Sequence, residues 1–203
     1  MIENIAPQVD GGLYPAKRTE GEIVNVTAAI FADGHDYLRA CVKFKVPKKR
    51  SWQSVELMPK GNDEWAGTFI TAEVGLYTYR DEAWVDYFSN WLDGFNKKAA
   101  AGQHLDVELQ EGAIFLKEVL KYSDKADQET IRHCINLFEN ADRYDEAHSA
   151  ALSDSMTSLV KKYPLPVNAT QSKELFIQSE FKKANFSSWY EFFPRSTAEK
   201  KVN

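Results

Sequence analysis

The first side chains to test for acid–base or metal chemistry are the four histidines, His35, His104, His133 and His148. Their spacing supports neither. None has a histidine at i, i+4 or a Cys-x-x-Cys neighbour, the arrangements that hold a zinc ion, so no metal site and no cofactor is expected. His133 and His148 fall on segments of helical period and could meet across a bundle, but a solvated histidine beside a carboxylate is the simpler reading of each. His35-Asp36 follows Asp33-Gly34, where Asp and Gly supply the backbone geometry of a turn. The acidic pairs Asp81-Glu82 and Asp145-Glu146 read as solvated faces or helix-start charges. There is no G-x-S-x-G, no phosphate-binding loop and no dinucleotide glycine fingerprint, and spacing alone assigns no carboxylate pair to glycoside cleavage. No catalytic residue is expected in this chain.

Five tryptophans accompany nine tyrosines and twelve phenylalanines. Tryptophans on outward strand positions form flat platforms for sugar rings, whereas core tryptophans pack. Trp65 alternates in phase with Phe69 and points inward. Core packing should claim at least three of the five. Tyr87, Phe88, Trp91 and Phe95 are expected at the junction between sheet and helices, locking the two together.

The elements that would carry these residues follow from period. Val24, Val26, Ala28 and Ile30 alternate, as do Leu38, Ala40, Val42, Phe44 and Val46, with Pro47 as a stop. Val55 and Leu57 precede the turn Gly61-Asn62-Asp63, and Trp65, Gly67 and Phe69 follow it. Beyond Gly75, Tyr77, Tyr79 and Ala83 share one face, with Leu76, Thr78 and Trp84 on the other. Five or six short strands of this kind suggest an antiparallel sandwich. After Asp86 the period changes. Leu109, Ala113, Leu116 and Leu120 form one helical stripe and Ile131, Cys134, Ile135 and Phe138 another. Helices are expected near 87–101, 106–122, 126–140 and 143–162, with Ser123-Asp124 and Asp142 at N-caps and Pro164 and Pro166 after the last. Gly112, costly within a helix, implies a close helix contact. Alternation returns at Leu175 and Ile177. The fold class is therefore α+β and multidomain: an immunoglobulin-like antiparallel β-sandwich, residues 1–86 and 165–182, with an α-helical bundle, 87–164, inserted before its last strand. Two domains in series would leave 173–181 as a stray strand.

The formal charge of −5 and the shortness of the basic stretch Lys48-Lys49-Arg50 argue against a nucleic-acid partner. No apolar run is long enough to span a bilayer, and Met1-Ile2-Glu3-Asn4 lacks the layout of a signal peptide. Cys41 and Cys134, far apart among apolar neighbours, read as buried free thiols suited to a reducing cytoplasm. The sequons at Asn25, Asn168 and Asn185 would then go unused.

Several local strings are more specific. They are Asp10-Gly11-Gly12-Leu13-Tyr14-Pro15-Ala16-Lys17-Arg18, Phe31-Ala32-Asp33-Gly34-His35-Asp36 and Gly61-Asn62-Asp63-Glu64-Trp65. Ala83-Trp84-Val85-Asp86-Tyr87-Phe88-Ser89-Asn90-Trp91, Ala101-Gly102-Gln103 and Glu108-Leu109-Gln110-Glu111-Gly112 follow. The last is Ser188-Trp189-Tyr190-Glu191-Phe192-Phe193-Pro194-Arg195-Ser196. In this order they resemble the N-terminal region of the α-1,4-glucan:maltose-1-phosphate maltosyltransferases, α-amylase-superfamily enzymes that extend α-glucans with maltosyl units.

The resemblance implies a β-sandwich with a helical insert that together form much of a homodimer interface. It places catalysis in a (β/α)₈ barrel that follows, with an aspartate nucleophile and a glutamate acid/base. Residues 183–203 look like the start of that barrel, and the chain reaches Asn203 before any segment that could hold either catalytic group. Arg195, in a loop after a barrel strand, would stand on the catalytic face, near a phosphate or in a structural pairing. The expected function is a non-catalytic accessory and dimerisation region, inactive alone, of a cytoplasmic enzyme whose substrate is an α-glucan. The alternative is a glucan-binding module. Phe186, Trp189, Tyr190, Phe192 and Phe193 are expected to fold back on the sandwich or to be buried by a neighbouring chain.

Overall fold

The structure, a computed structural model, describes residues 1–193. Nine strands and five α-helices are present among them. The strands are β1 (Ile2–Ala6), β2 (Ala16–Thr19), β3 (Ile23–Ile30), β4 (Leu38–Lys45), β5 (Gln53–Gly61), β6 (Glu64–Ile70), β7 (Gly75–Val85), β8 (Thr170–Gln171) and β9 (Leu175–Glu180). They form one curled sheet in the order β1-β3-β6-β5-β4-β7-β9-β2, with β8 beside β7. The strand β5 makes the curl. Its first half pairs with β4 from Gln53 to Leu57, and its last residues pair with β6 from Met58. The two arms therefore face each other, and Phe44 on β4 stacks on Phe69 of β6 with centroids 4.3 Å apart.

Alternation determines which side chains fill the space between the arms. Val24, Val26, Ala28 and Ile30 are buried, and so are Ala40, Val42, Leu57, Tyr77, Tyr79, Leu175 and Ile177. The turn from β5 to β6 places Asn62 and Asp63 at φ of 51° and 61°, as a tight hairpin requires. Gly12, at φ +89°, lies where a Cβ would stand 2.4 Å from Leu175 Cδ2. Only glycine fits there, which gives the Asp10-Gly11-Gly12 string a physical reason.

One expectation about the sheet is corrected. It is mixed, because β2 pairs with β9 in parallel. Ahead of the alternation that begins at Val24, the first nineteen residues add β1 and β2, which gain their strand character from pairing partners distant in sequence.

The helices lie between β7 and β8 in the chain: α1 (Tyr87–Ala100), α2 (Asp106–Leu120), α3 (Lys125–Phe138), α4 (Tyr144–Ala151) and α5 (Asp154–Lys162). They converge on one apolar cluster that includes Phe88, Trp91, Phe95, Leu116, Ile131, Phe138, Met156 and Leu159. The chain leaves the sheet at Val85 and returns at Thr170, which pairs with Ala83, so the two connections are neighbours. The expected single helix over 143–162 is in fact two. Ser153, in extended conformation, breaks it and caps α5 by accepting from the Met156 amide, 3.1 Å away. Asp142 is not a cap either; it lies in a short 3-10 turn whose cap is Asn140.

Tyr87, Phe88, Trp91 and Phe95 also differ from expectation. Phe88, Trp91 and Phe95 join helices to one another, through Phe115 and Phe138, and Tyr87 is exposed. The apolar cluster of the helices contains no residue of the sheet. The two buried apolar clusters are separate, and polar contacts link the helices to the strands.

Candidate functional site

That connection is polar and centres on Asp86. Its carboxylate is buried and caps α1, accepting from the Ser89 amide at 3.2 Å and the Ser89 hydroxyl at 2.6 Å. Arg39 of β4 approaches it at 3.9 Å, donates to Glu56 Oε1 at 2.7 Å, and donates to the Lys161 carbonyl of α5 at 3.1 Å. One guanidinium thus ties the sheet to both ends of the helical segment. Asn90 adds a second clasp. Its Oδ1 accepts from the Tyr37 amide at 2.7 Å and its Nδ2 donates to Asp36 at 2.9 Å.

Beside this clasp runs a groove of about 310 Å³. On α1 it is lined by Tyr87, Asn90, Trp91, Gly94 and Lys98, spaced to share one helical face. On α2 it is lined by Glu108, Glu111 and Phe115, which likewise form a stripe, and Asp36 closes one end. Lys98 Nζ bridges the helices to Glu108 Oε1 at 2.6 Å, which raises the lysine pKa and lowers that of the glutamate. Trp91 closes the floor and donates from Nε1 to the Glu108 carbonyl at 2.7 Å.

The groove gathers residues from three of the sequence strings: Asp36 from the second, Tyr87, Asn90 and Trp91 from the fourth, and Glu108 and Glu111 from the sixth. No single segment signals it, because its two walls and its end are 36–115 in the chain and meet only in the fold.

The other chemical candidates disperse. His35 and His133 are exposed, His104 lies 2.8 Å from Asp106 and stacks on Tyr144, and His148 packs between Phe95 and Tyr144. Among the described residues no three His, Cys, Asp or Glu side chains gather as metal ligands would. Asp145 and Glu146 are exposed in the first turn of α4, as expected. The pair Asp81-Glu82 is a correction, since both are buried. Glu82 lies on the outward face of the sheet under Lys43 at 2.6 Å and Arg80 at 2.8 Å. Asp81 points inward with Tyr79 and Ala83, and neither of its carboxylate oxygens meets a hydrogen-bond donor among the described residues. Burial pushes its pKa up to about 7. Following the alternation of Tyr77, Tyr79 and Ala83 through residue 81 would have found it.

Of the tryptophans, Trp65 and Trp91 are buried, and Trp65 donates to the Ile30 carbonyl at 3.1 Å. Trp84 is half-buried, and Trp52 carries the cations of Lys45 and Arg80 near its ring at 4.1 and 4.5 Å. Trp189 is exposed. Phe186, Tyr190, Phe192 and Phe193 are exposed with it, so the aromatic tail is not folded back on the sheet. Residues 186–193 have no regular secondary structure, and Arg195 lies outside the described residues. No helix among the described residues is long and apolar enough to cross a membrane.

Comparison with known proteins gives one consistent result. The family model for the α-1,4-glucan:maltose-1-phosphate maltosyltransferase, domain N/S, matches residues 1–180. A maltosyltransferase of that name from Chlorobaculum tepidum is 36% identical over 200 residues, covering 98% of this chain and 30% of the relative. The Salinibacter ruber protein of the same name is 33% identical over 204 residues, with 98% of this chain and 30% of the relative covered. For the Burkholderia pseudomallei protein the figures are 32% over 205 residues, 98% and 18%. The chain spans less than a third of the length of each of these relatives.

Proposed function

Since this chain belongs to the domain N/S family of the α-1,4-glucan:maltose-1-phosphate maltosyltransferases, we propose that it is the accessory and dimerisation region of such an enzyme. The observation that carries this reading is the reach of the family match, which takes in the whole sheet and all five helices, residues 1–180. Residues 1–86 and 165–182 make an immunoglobulin-like β-sandwich, and 87–164 are an inserted helical bundle. The region acts in the cytoplasm as a homodimer, and the α-glucan is the substrate of the complete enzyme. In isolation it transfers nothing. The two neighbouring connections on β7 support the insertion, because closing a long loop costs little when its ends already meet.

The test is an assay of the 203-residue chain with maltose 1-phosphate and a maltooligosaccharide, read by phosphate release. No release is expected, and release above the background of an empty-vector preparation overturns the reading. Light scattering is expected to give the mass of a dimer, and a strict monomer at high concentration counts against the dimerisation role.

A further inference from the structure

Two glycines interrupt the helices that wall the groove, and they differ in their reason for being glycine. A Cβ on Gly112 would collide with Trp91, at 2.3 Å from its Cζ2. A Cβ on Gly94 would meet nothing within 4 Å. Gly94 lies within α1, where glycine weakens a helix relative to alanine, at a helical φ and without a neighbour that forbids a side chain. Packing inside the chain does not account for it. Its missing side chain opens the groove to the helix backbone, between Asn90 and Lys98.

We infer that this groove is a binding site for a neutral sugar, with Gly94 admitting a ring to the face of α1. The polar groups around it suit hydroxyl donors. Glu111 presents its carboxylate, Asp36 and Glu108 each have one oxygen taken by Asn90 and Lys98, and Lys98 is the one lysine among the described residues of the lining. A phosphate would meet this acidic excess as repulsion. Tyr87, 44% exposed at the mouth, offers a ring against which the apolar face of a sugar stacks. The volume, about 310 Å³, is at the small end of the range for ligand sites, roughly 300–1,000 Å³. The site takes a short segment of a chain and leaves the rest in solvent. The choice of an α-1,4-linked glucan as the sugar rests on the function proposed above. The groove itself rests on its own geometry. It is not the tryptophan platform expected of a binding module, since Trp91 enters it only as a buried floor.

The experiment is chemical-shift mapping of the ¹⁵N-labelled chain with maltotetraose, cellotetraose, maltose and maltose 1-phosphate in parallel. Maltotetraose is expected to move amides of residues 87–98 and 108–115 selectively, with maltose 1-phosphate weaker than maltose. Gly94→Gln, which fills the groove from a helix position that welcomes a side chain, is expected to melt no lower than the parent chain and to weaken maltotetraose binding roughly tenfold or more. Tyr87→Ala is expected to weaken it as well. No shift in these segments with any sugar, or undiminished binding by Gly94→Gln, overturns the site while leaving the accessory reading intact. Shifts with cellotetraose alone overturn the glucan assignment. Tighter binding of maltose 1-phosphate than of maltose overturns the charge argument. A Gly94→Gln variant that loses a dimer and shows no sugar effect makes the groove a subunit contact, and the inference falls.

Discussion

Trp91 lies over Gly112 so closely that the two residues define the spacing of α1 and α2. The indole Cζ2 stands 2.3 Å from where a Cβ on residue 112 would be, and the indole N–H is bound to the Glu108 carbonyl one turn earlier. A methyl group there must push the helices apart or drive Trp91 from a ring cluster that includes Phe88, Phe95 and Phe138. Gly112→Ala is therefore expected to destabilise the chain by about 1–3 kcal/mol, although alanine is the better helix former by about 1 kcal/mol. Urea denaturation followed by circular dichroism measures it. An increase in stability would mean that the helices are not closed on each other as described.

The polar clasp around Asp86 makes a different prediction. Arg39 is the cation near a buried carboxylate that also caps α1, and it holds the α5 carbonyl of Lys161. Arg39→Ala is expected to cost about 1–3 kcal/mol, because Asp86 then stays buried without it. The effect should be localised. Amide hydrogen exchange is expected to quicken at the start of α1 and the end of α5, with the strand amides of β3 and β6 unchanged. Uniform acceleration across the chain would show that the sheet and helices unfold as one unit.

Asp81 makes stability depend on pH. Unfolded, its carboxyl titrates near its ordinary value of 3.8, whereas burial holds it near 7 in the fold. Between those values the folded chain keeps a proton that the unfolded chain has lost, so stability falls as pH rises through this window. Asp81→Asn, which mimics the protonated acid, removes the dependence. At about pH 8 the variant is expected to exceed the parent in stability by about 1–4 kcal/mol, with the difference shrinking toward zero at about pH 4. Denaturant midpoints for both chains across this range measure it. A pH-independent difference would mean that Asp81 meets a cation or donor in solution.

Much of this was legible from period, and what was not has a physical cause. The phase of Val24, Val26, Ala28 and Ile30 named their buried face because one side of the sheet is packed and the other is not. Gly112 could be read from its cost alone. The strand β2 could not, since Lys17 and Arg18 are ordinary surface residues until β9 lies beside them. The break at Ser153 has no signal in the period, because Leu152, Met156 and Leu159 keep helical spacing across it although Leu152 is exposed. The clasp of Arg39, Asp86 and Asn90 and the groove next to it combine side chains from β4, the loop before it, α1 and α2 with a backbone carbonyl of α5. No local window of sequence contains that combination.

The last prediction concerns the aromatic tail. Asn185 donates to Thr19 Oγ1 at 3.0 Å and to Glu22 at 3.4 Å, which fixes the chain against the end of β2 and the turn that follows it. Beyond it, Phe186, Trp189, Tyr190, Phe192 and Phe193 are each more than half exposed. Rings that bury nothing add nothing to the fold, yet five of them together make a surface that soluble chains rarely leave open. A chain ending at Asn185 is therefore expected to melt at the same temperature as the 203-residue chain and to bind less of a dye that reports exposed apolar surface. Removing the Asn185 contact as well, by Asn185→Ala in the full chain, is expected to lower stability by about 0.5–1.5 kcal/mol, the usual net worth of such hydrogen bonds. If truncation at Asn185 lowers the melting temperature by several degrees, the tail packs on this chain or on a second copy of it. A matching fall in mass by light scattering would identify the second copy as what covers it.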